Sequence, residues 1–203
     1  MKSIITIQHT QAVHHTNGMM GSWTDWELTD LGKTHAENIG RNLSNELKEQ
    51  SWKIYSSDLI RAKQTAEPLA RYMGVEIVYR EKLREHNIGE AVGKTRQWAK
   101  ENALTVINPL DDPQFRGAET WRKLWNRVAE LCREIIAGDE ENIIIVSHGG
   151  TLRVWQAVWL GSEVTEFNRF GSPGGVSFME LNDNGERVIK RLNDMSYIKG
   201  ITI

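Results

Sequence analysis

Residues 142–151 read Asn-Ile-Ile-Ile-Val-Ser-His-Gly-Gly-Thr, a run of β-branched side chains that ends at a histidine and two glycines. A short apolar run without polar alternation predicts a strand buried on both faces, as in the parallel sheets of α/β proteins. The glycines and threonine that follow predict the start of a helix. His148 would then stand between a strand end and a helix N-terminus, at the sheet edge where α/β proteins bind ligands.

A second buried strand is predicted over residues 3–8, and it ends at His9. Strand-like and helix-like patterns alternate along most of the chain, which predicts a three-layer α/β/α sandwich with a mostly parallel sheet. Residues 175–182 and 186–193 flank Asp-Asn-Gly at 183–185, and this arrangement predicts an antiparallel C-terminal hairpin. His9 and His148 should therefore emerge at the same edge of one sheet.

The remaining elements follow from capping residues and helical spacing. One helix is predicted to begin at Thr29 or Asp30, and another, bent by Pro68, at Ser57 or Asp58. The apolar face of the first would hold Leu31, Ala36, Ile39, Leu43 and Leu47. Residues 84–117 show weak periodicity and predict a covering lid with one short helix. We expect a single domain over residues 1–203.

Composition narrows the function classes. The formal net charge is -2, and no basic run predicts a nucleic-acid partner. The single cysteine, Cys132, falls in an amphipathic helical pattern and is expected to be a buried free thiol in a reducing cytoplasmic protein. No apolar run is long enough to cross a membrane. The tryptophans are best explained by core packing, although an exposed subset could form a homodimer interface.

Three strand ends bring a set of phosphate-binding groups together. His9, Arg61 in the turn after the second strand, and His148 would meet at one edge, close to helix N-termini that favour anions. A neutral imidazole can attack phosphorus, a guanidinium can hold the phosphoryl oxygens, and a second imidazole can donate to them. Glu85, soon after the third strand, is a candidate general acid. Each of these residues also has a structural alternative. His9 and His148 could be structural histidines, and Arg61 could be a surface helix residue paired with Asp58 or Glu67. Glu85 could form an ion pair with Arg84 or Lys82.

Four segments carry a resemblance to a known family. They are residues 56–66 (Ser-Ser-Asp-Leu-Ile-Arg-Ala-Lys-Gln-Thr-Ala), 146–150 (Val-Ser-His-Gly-Gly), 25–32 (Asp-Trp-Glu-Leu-Thr-Asp-Leu-Gly) and 83–85 (Leu-Arg-Glu). Together they resemble the phosphoglycerate-mutase-like branch of the histidine phosphatase superfamily. The resemblance implies that His9 becomes phosphorylated, that Glu85 protonates the leaving group and then activates water, and that Arg61 and His148 bind the phosphoryl group. Gly149, at the start of the helix predicted after His148, is expected to belong to the same anion site. It implies neither a metal nor another cofactor.

One part of the family signature differs. The family reads Arg-His-Gly where this chain reads Gln8-His9-Thr10. An amide can donate hydrogen bonds, but it is neutral and cannot fork onto two oxygens. Losing a transition-state donor costs about a hundredfold to a thousandfold in rate, so we expect Gln8→Arg to raise activity. Without the arginine, His9 should also protonate more easily, so the neutral nucleophile would need higher pH.

His14 and His15 stand where the family often has Trp-Asn. His15 could supply a compensating donor to phosphate. A zinc site is not expected, because adjacent histidines in an extended chain point to opposite faces and no cysteine completes a ligand set.

The sequence therefore predicts a phosphatase acting on a small phosphorylated metabolite. The alternative is a phosphate-binding or regulatory pseudoenzyme in which Gln8 marks lost catalysis. A phosphoglycerate mutase is less favoured, because the covering segment is short and not notably basic.

Overall fold

A computed structural model describes residues 1–163 and 171–200. Its strands are β1 (Lys2–Gln8), β2 (Lys53–Ser56), β3 (Ile77–Tyr79), β4 (Asn142–Ser147), β5 (Val176–Leu181) and β6 (Arg187–Asp194). They form one six-stranded sheet in the order β3-β2-β4-β1-β5-β6. The first four strands in that order are parallel to one another. Strand β5 is antiparallel to its neighbour β1, and β6 is antiparallel to β5. The predicted mixed sheet and C-terminal hairpin are confirmed.

The α-helices are α1 (Asp30–Leu47), α2 (Ile60–Met73), α3 (Arg96–Asn102), α4 (Trp121–Ala137) and α5 (Gly149–Trp159). Short 3-10 helices cover Val13–His15, Glu81–Leu83, Gly89–Ala91 and Ser196–Ile198. Within the described residues, none of these helices has the length and apolar character required to cross a membrane.

Both faces of the sheet are covered, because successive side chains of a strand point to opposite faces. Ile144 and Val146 of β4 join the cluster that includes α1 and α2, whereas Ile143 and Ile145 join the cluster that includes α4 and α5. Cys132 is a buried free thiol in the second cluster, as expected. The three-layer α/β/α sandwich is thereby confirmed.

Two local predictions need correction. Leu31 is 51% exposed, because the position in phase with Ala36 and Ile39 is Gly32, whose Cβ would lie 2.0 Å from the Gln11 carbonyl oxygen. The N-cap of α2 is Leu59, not Ser57 or Asp58. Ser57 Oγ instead accepts from the Leu59 N–H at 3.3 Å. The first N–H of the helix, that of Ile60, donates to Asp25 Oδ1 at 3.0 Å, and Asp25 is distant in sequence.

The covering segment, residues 84–117, contains α3 and a small apolar cluster of Ala91, Ala99 and Phe115. It is attached to the loop that follows β1. Met20 and Lys94 bond through their backbones at 2.8 Å, and Gly93 N donates to the Met20 carbonyl at 3.0 Å. The segment is therefore anchored beside the chain that leaves His9.

Tryptophans occupy two kinds of environment. Trp155 and Trp159 of α5 are fully buried, in agreement with the core-packing interpretation. Trp23 is 36% exposed, and its indole N–H donates to the Glu85 carbonyl oxygen at 2.7 Å. Trp98 stacks on Phe115 inside the covering segment.

Candidate active site

His9 lies at the carboxyl end of β1 and is 2% exposed. Its Nδ1 lies 2.8 Å from the Thr10 carbonyl oxygen. A carbonyl only accepts, so Nδ1 carries the proton of the neutral ring and Nε2 holds a lone pair. Burial, and secondarily the charge of Arg61, lowers the pKa of His9 well below its ordinary value of 6.5. The ring is therefore neutral at pH 7 even without an arginine at position 8.

Arg61 is in the first turn of α2 and is 1% exposed. Its Nε–H donates to His9 Nε2 at 3.3 Å, and its two Nη groups donate to the carbonyl oxygens of Thr24 and Ser22 at 2.8 and 2.5 Å. Burial lowers the pKa of Arg61 to about 10, so the guanidinium stays charged at pH 7. This burial excludes the alternative of a surface residue paired with Asp58 or Glu67.

His148 is the N-cap residue of α5 and is completely buried. Its ring centroid lies 5.0 Å from that of His9, in an edge-on arrangement, and its Nε2 lies 2.8 Å from Ser57 Oγ. Its Nδ1 is buried without a hydrogen-bond partner in the described part of the chain. Burial also lowers the pKa of His148 well below 6.5. A neutral ring with one unpartnered buried nitrogen can bond to a ligand in this pocket.

Glu85 reaches the first turn of α5. Its carboxyl group accepts from the backbone N–H groups of His86 (2.8 Å), Gly150 (3.1 Å) and Thr151 (3.2 Å). A Cβ at position 150 would lie 2.4 Å from Glu85 Oε1, so a larger residue there would displace this carboxyl group. The predicted alternative partners of Glu85 are engaged elsewhere. Arg84 forms a two-point pair with Asp58, and Lys82 pairs with Glu130 and Glu134.

Arg127 of α4 holds the backbone that carries Glu85. Its guanidinium donates to the carbonyl oxygens of Lys82 (2.8 Å), Arg84 (2.9 Å) and Glu85 (3.3 Å). The same group forms a two-point ion pair with Glu119 at 2.9 and 2.8 Å, with both side chains largely buried. Sequence reasoning missed this residue, because on its own helix Arg127 is only one of several charged positions.

Gln8 and Gly149 are brought together beside the start of α5. A Cβ on Gly149 would lie 3.3 Å from Gln8 Nε2, so the glycine leaves room for the amide. On its other side, Gln8 Oε1 would lie 3.1 Å from a Cβ on Gly171. Gln8, which stands where the family signature has arginine, therefore lies at the same helix N-terminus that holds Glu85.

His14 and His15 belong to a 3-10 helix, so the premise of an extended chain was wrong. The His15 ring lies parallel to that of His9, with centroids 5.4 Å apart, and the His14 ring lies 4.1 Å from that of His15. Ala12 N–H donates to His15 Nδ1 at 3.1 Å, which leaves Nε2 as the N–H of the neutral ring. Burial is the main cause that lowers the pKa of His14 to about 3 and that of His15 to about 4.

The structure thus gathers His9, His15, Arg61 and His148 at one sheet edge, with Glu85, Gln8 and Gly149 at the adjoining helix N-terminus. The direct contact is a hydrogen bond from a fixed guanidinium to the Nε2 lone pair of a neutral imidazole. Such an arrangement suits nucleophilic attack on a phosphoryl group whose charge the guanidinium offsets.

Comparison with known proteins gives a family match over most of the chain. The model of the histidine phosphatase superfamily (branch 1) matches residues 4–195. Phosphoglycerate mutase-like protein 4 of Arabidopsis thaliana is 31% identical over 159 residues, which span 74% of this chain and 67% of that relative. Glucosyl-3-phosphoglycerate phosphatase of Mycolicibacterium vanbaalenii is 27% identical over 192 residues, which span 89% and 84% of the two chains.

A solved structure shares the fold. Phosphoserine phosphatase from Entamoeba histolytica, in complex with 3-phosphoglyceric acid, superposes with a TM-score of 0.80 at 24% identity. The alignment covers 98% of this chain and 100% of that chain. A chain of known structure therefore shares this fold over nearly the whole length of the chain.

Proposed function

The chain belongs to the histidine phosphatase superfamily (branch 1), and from that premise we propose that it hydrolyses a small phosphorylated metabolite through a phosphohistidine at His9. The observation that carries the proposal is the state of this side chain. Its Nδ1 proton is held by the Thr10 carbonyl, and its Nε2 carries the lone pair, which accepts from the Arg61 Nε–H at 3.3 Å.

In the first step the Nε2 lone pair of His9 forms a bond to phosphorus. The bond between phosphorus and the ester oxygen breaks, and that oxygen leaves with the electron pair and takes up a proton. Arg61 turns its Nε–H from the imidazole to the phosphoryl oxygens as the new bond forms. In the second step water attacks phosphorus, the P–N bond breaks, and inorganic phosphate leaves with His9 again neutral.

In this proposal Glu85 gives a proton to the ester oxygen in the first step and takes a proton from the attacking water in the second. The carboxyl group is fixed by backbone N–H groups at the start of α5, beside the N-cap residue His148. Its charge acts on the buried guanidinium of Arg61, which supports a position next to the reacting group. Releasing one of the N–H contacts would free an oxygen of Glu85 to face the ester oxygen.

The phosphoryl oxygens would be held by Arg61, His148, His15 and the N-terminus of α5. The unpartnered Nδ1 of His148 supports its role as a phosphate ligand, and the Nε2–H of His15 supports a second neutral donor. Gln8 would add one amide N–H beside Gly149. Two neutral donors, His15 and Gln8, would then share the task that one arginine performs in the family signature.

The substrate class is proposed from the relatives and from the covering segment. The relatives are named for phosphate esters of small carboxylic acids, such as glucosyl-3-phosphoglycerate. In this chain Arg96, at the start of α3, is a cation whose charge acts on both His14 and His15. A leaving group with a carboxylate could pair with Arg96, so the lid formed by residues 84–117 would select the substrate. The proposed place of action is the cytoplasm.

A second candidate function rests on Gln8. With a neutral amide in place of the signature arginine, the same pocket could bind a phosphorylated ligand without turning it over. A parallel assay of wild type and His9→Ala against phosphoserine, 3-phosphoglycerate and other phosphorylated metabolites separates the two functions. Release of phosphate by wild type alone supports the phosphatase. Binding of phosphate esters without release by either protein supports the binding protein instead.

A further inference from the structure

One ring nitrogen from each of His9, His14 and His15 lies within 4.8 Å of the other two. We propose that this three-histidine cluster binds a divalent first-row transition-metal ion, with Zn²⁺ as the test ion, and that the bound ion blocks His9 from attacking phosphate.

The geometry needs only a small closure. Zn–N bonds are about 2.0–2.1 Å long, so nitrogens around a tetrahedral zinc lie about 3.3 Å apart. The separations here are at most 4.8 Å. His14 and His15 are only partly buried and lie on one turn of 3-10 helix, where side-chain rotation can close the gap, whereas His9 is fixed at the strand end. Three ligands on two short segments leave a fourth position for water or an anion.

The hydrogen bonds around the rings are compatible with metal binding. His9 donates its other ring N–H to a backbone carbonyl, which is the usual outer contact of a metal-bound histidine. His14 Nδ1 is buried without a hydrogen-bond partner in the described residues. His15 Nδ1 already holds a lone pair, which would turn from the Ala12 N–H to the ion.

Arg61 sets the limits of this site. Its Nε–H bonds the same His9 nitrogen at 3.3 Å, and its charge opposes a second cation. The ion must displace that hydrogen bond, so we expect weaker binding than at a dedicated three-histidine zinc site. Three neutral nitrogen ligands also favour Zn²⁺, Cu²⁺ and Ni²⁺ over Mg²⁺ and Ca²⁺, which prefer oxygen. The site would therefore be inhibitory and reversible by chelators.

The test uses the full-length chain without a histidine tag, after treatment with a chelator. Zn²⁺ is titrated by calorimetry, and Co²⁺ by its visible absorption. We expect one ion per chain and at least about tenfold weaker binding for His14→Ala and His15→Ala. Gly21→Ala should act in the same direction without removing a ligand, because the new Cβ would lie 2.6 Å from His14 Cδ2 and displace the ring. His35→Ala, which removes a histidine of α1, is the matched control and should bind as wild type does.

The outcomes separate this site from the proposed function. No saturable binding, or binding weakened as much by His35→Ala as by His14→Ala, overturns the site whether or not the chain is a phosphatase. The blocking of His9 rests on the proposed function and is tested by labelling His9 from a phosphate ester with and without Zn²⁺. Bound Zn²⁺ that leaves the labelling rate unchanged overturns that part alone.

Discussion

Replacing Gln8 by arginine is the substitution that most directly examines how this pocket works. The amide of Gln8 lies at the N-terminus of α5, with Gly149 on one side and Gly171 on the other. Neither neighbour has a side chain that blocks a longer residue. A guanidinium starting from the same Cα is longer than the amide and can bond two phosphoryl oxygens at once. We therefore expect Gln8→Arg to raise kcat/KM for phosphate esters.

The size of the gain follows from what Gln8 already supplies. A neutral hydrogen bond contributes about 1 kcal/mol, and a charge-assisted one about 1.5–3 kcal/mol. The difference, about 0.5–2 kcal/mol, corresponds to about a 2- to 30-fold change in rate. If Gln8 makes no contact with the transition state, the gain rises toward the hundredfold to thousandfold value of a complete donor, about 3–4 kcal/mol. The measured factor therefore reports whether the amide takes part.

The assay is steady-state hydrolysis of an aryl phosphate and of phosphoserine by wild type, Gln8→Arg, Gln8→Lys and Gln8→Met. Lysine adds charge without the fork, and methionine removes the donor at similar volume. The order expected is Arg, Lys, wild type, Met, from fastest to slowest. The added cation should lower the pKa of His9 further, so no loss of rate at neutral pH is expected. A folded Gln8→Arg enzyme that is no faster than wild type would show that the missing guanidinium at position 8 does not limit the rate.

Arg127→Ala should lower kcat about 10- to 100-fold, because Glu85 would be misplaced, and Arg127→Lys should recover part of the rate. Arg133→Ala on the same helix should act as wild type. A normal rate and pH profile in Arg127→Ala would show that the contacts of Arg127 are not needed to position Glu85. His15→Ala should weaken inhibition by orthovanadate about tenfold, and an unchanged inhibition constant would argue against a phosphate contact. The partly buried His14 and His15 bind protons less readily in the folded chain, where their pKa values are about 3 and about 4, than in the unfolded chain, where the value is about 6.5. The free energy of unfolding should therefore fall as pH drops from 6.5 toward 4, and a melting temperature that is constant over that range would contradict this.

The sheet and the main site residues could be predicted from sequence because local patterns encode them. Residues 142–147 are continuously apolar and β-branched, so both their strand conformation and their burial follow from composition. The end of such a strand places His148 at the ligand-binding edge with no further information. The same reasoning places His9.

The remaining features depend on contacts between distant segments. The first helical N–H of α2 is bonded by Asp25, which is 35 residues away along the chain. Arg127 reaches the carbonyl of Lys82 across 45 residues, and nothing near position 127 in the sequence indicates this. The prediction that His14 and His15 point to opposite faces was wrong for a local reason. They lie on one turn of 3-10 helix, which brings adjacent side chains close together, whereas an extended chain would separate them.

The transfer of phosphate to His9 is the step on which the proposed function depends. The direct measurement mixes the chain with a phosphate ester carrying labelled phosphorus, stops the reaction in alkali, and maps the labelled peptide of wild type and of His9→Ala. We expect a label on His9 that is stable in alkali, lost in acid, and absent from His9→Ala. Turnover by wild type without any protein-bound phosphate, or an equal label in His9→Ala, would contradict it.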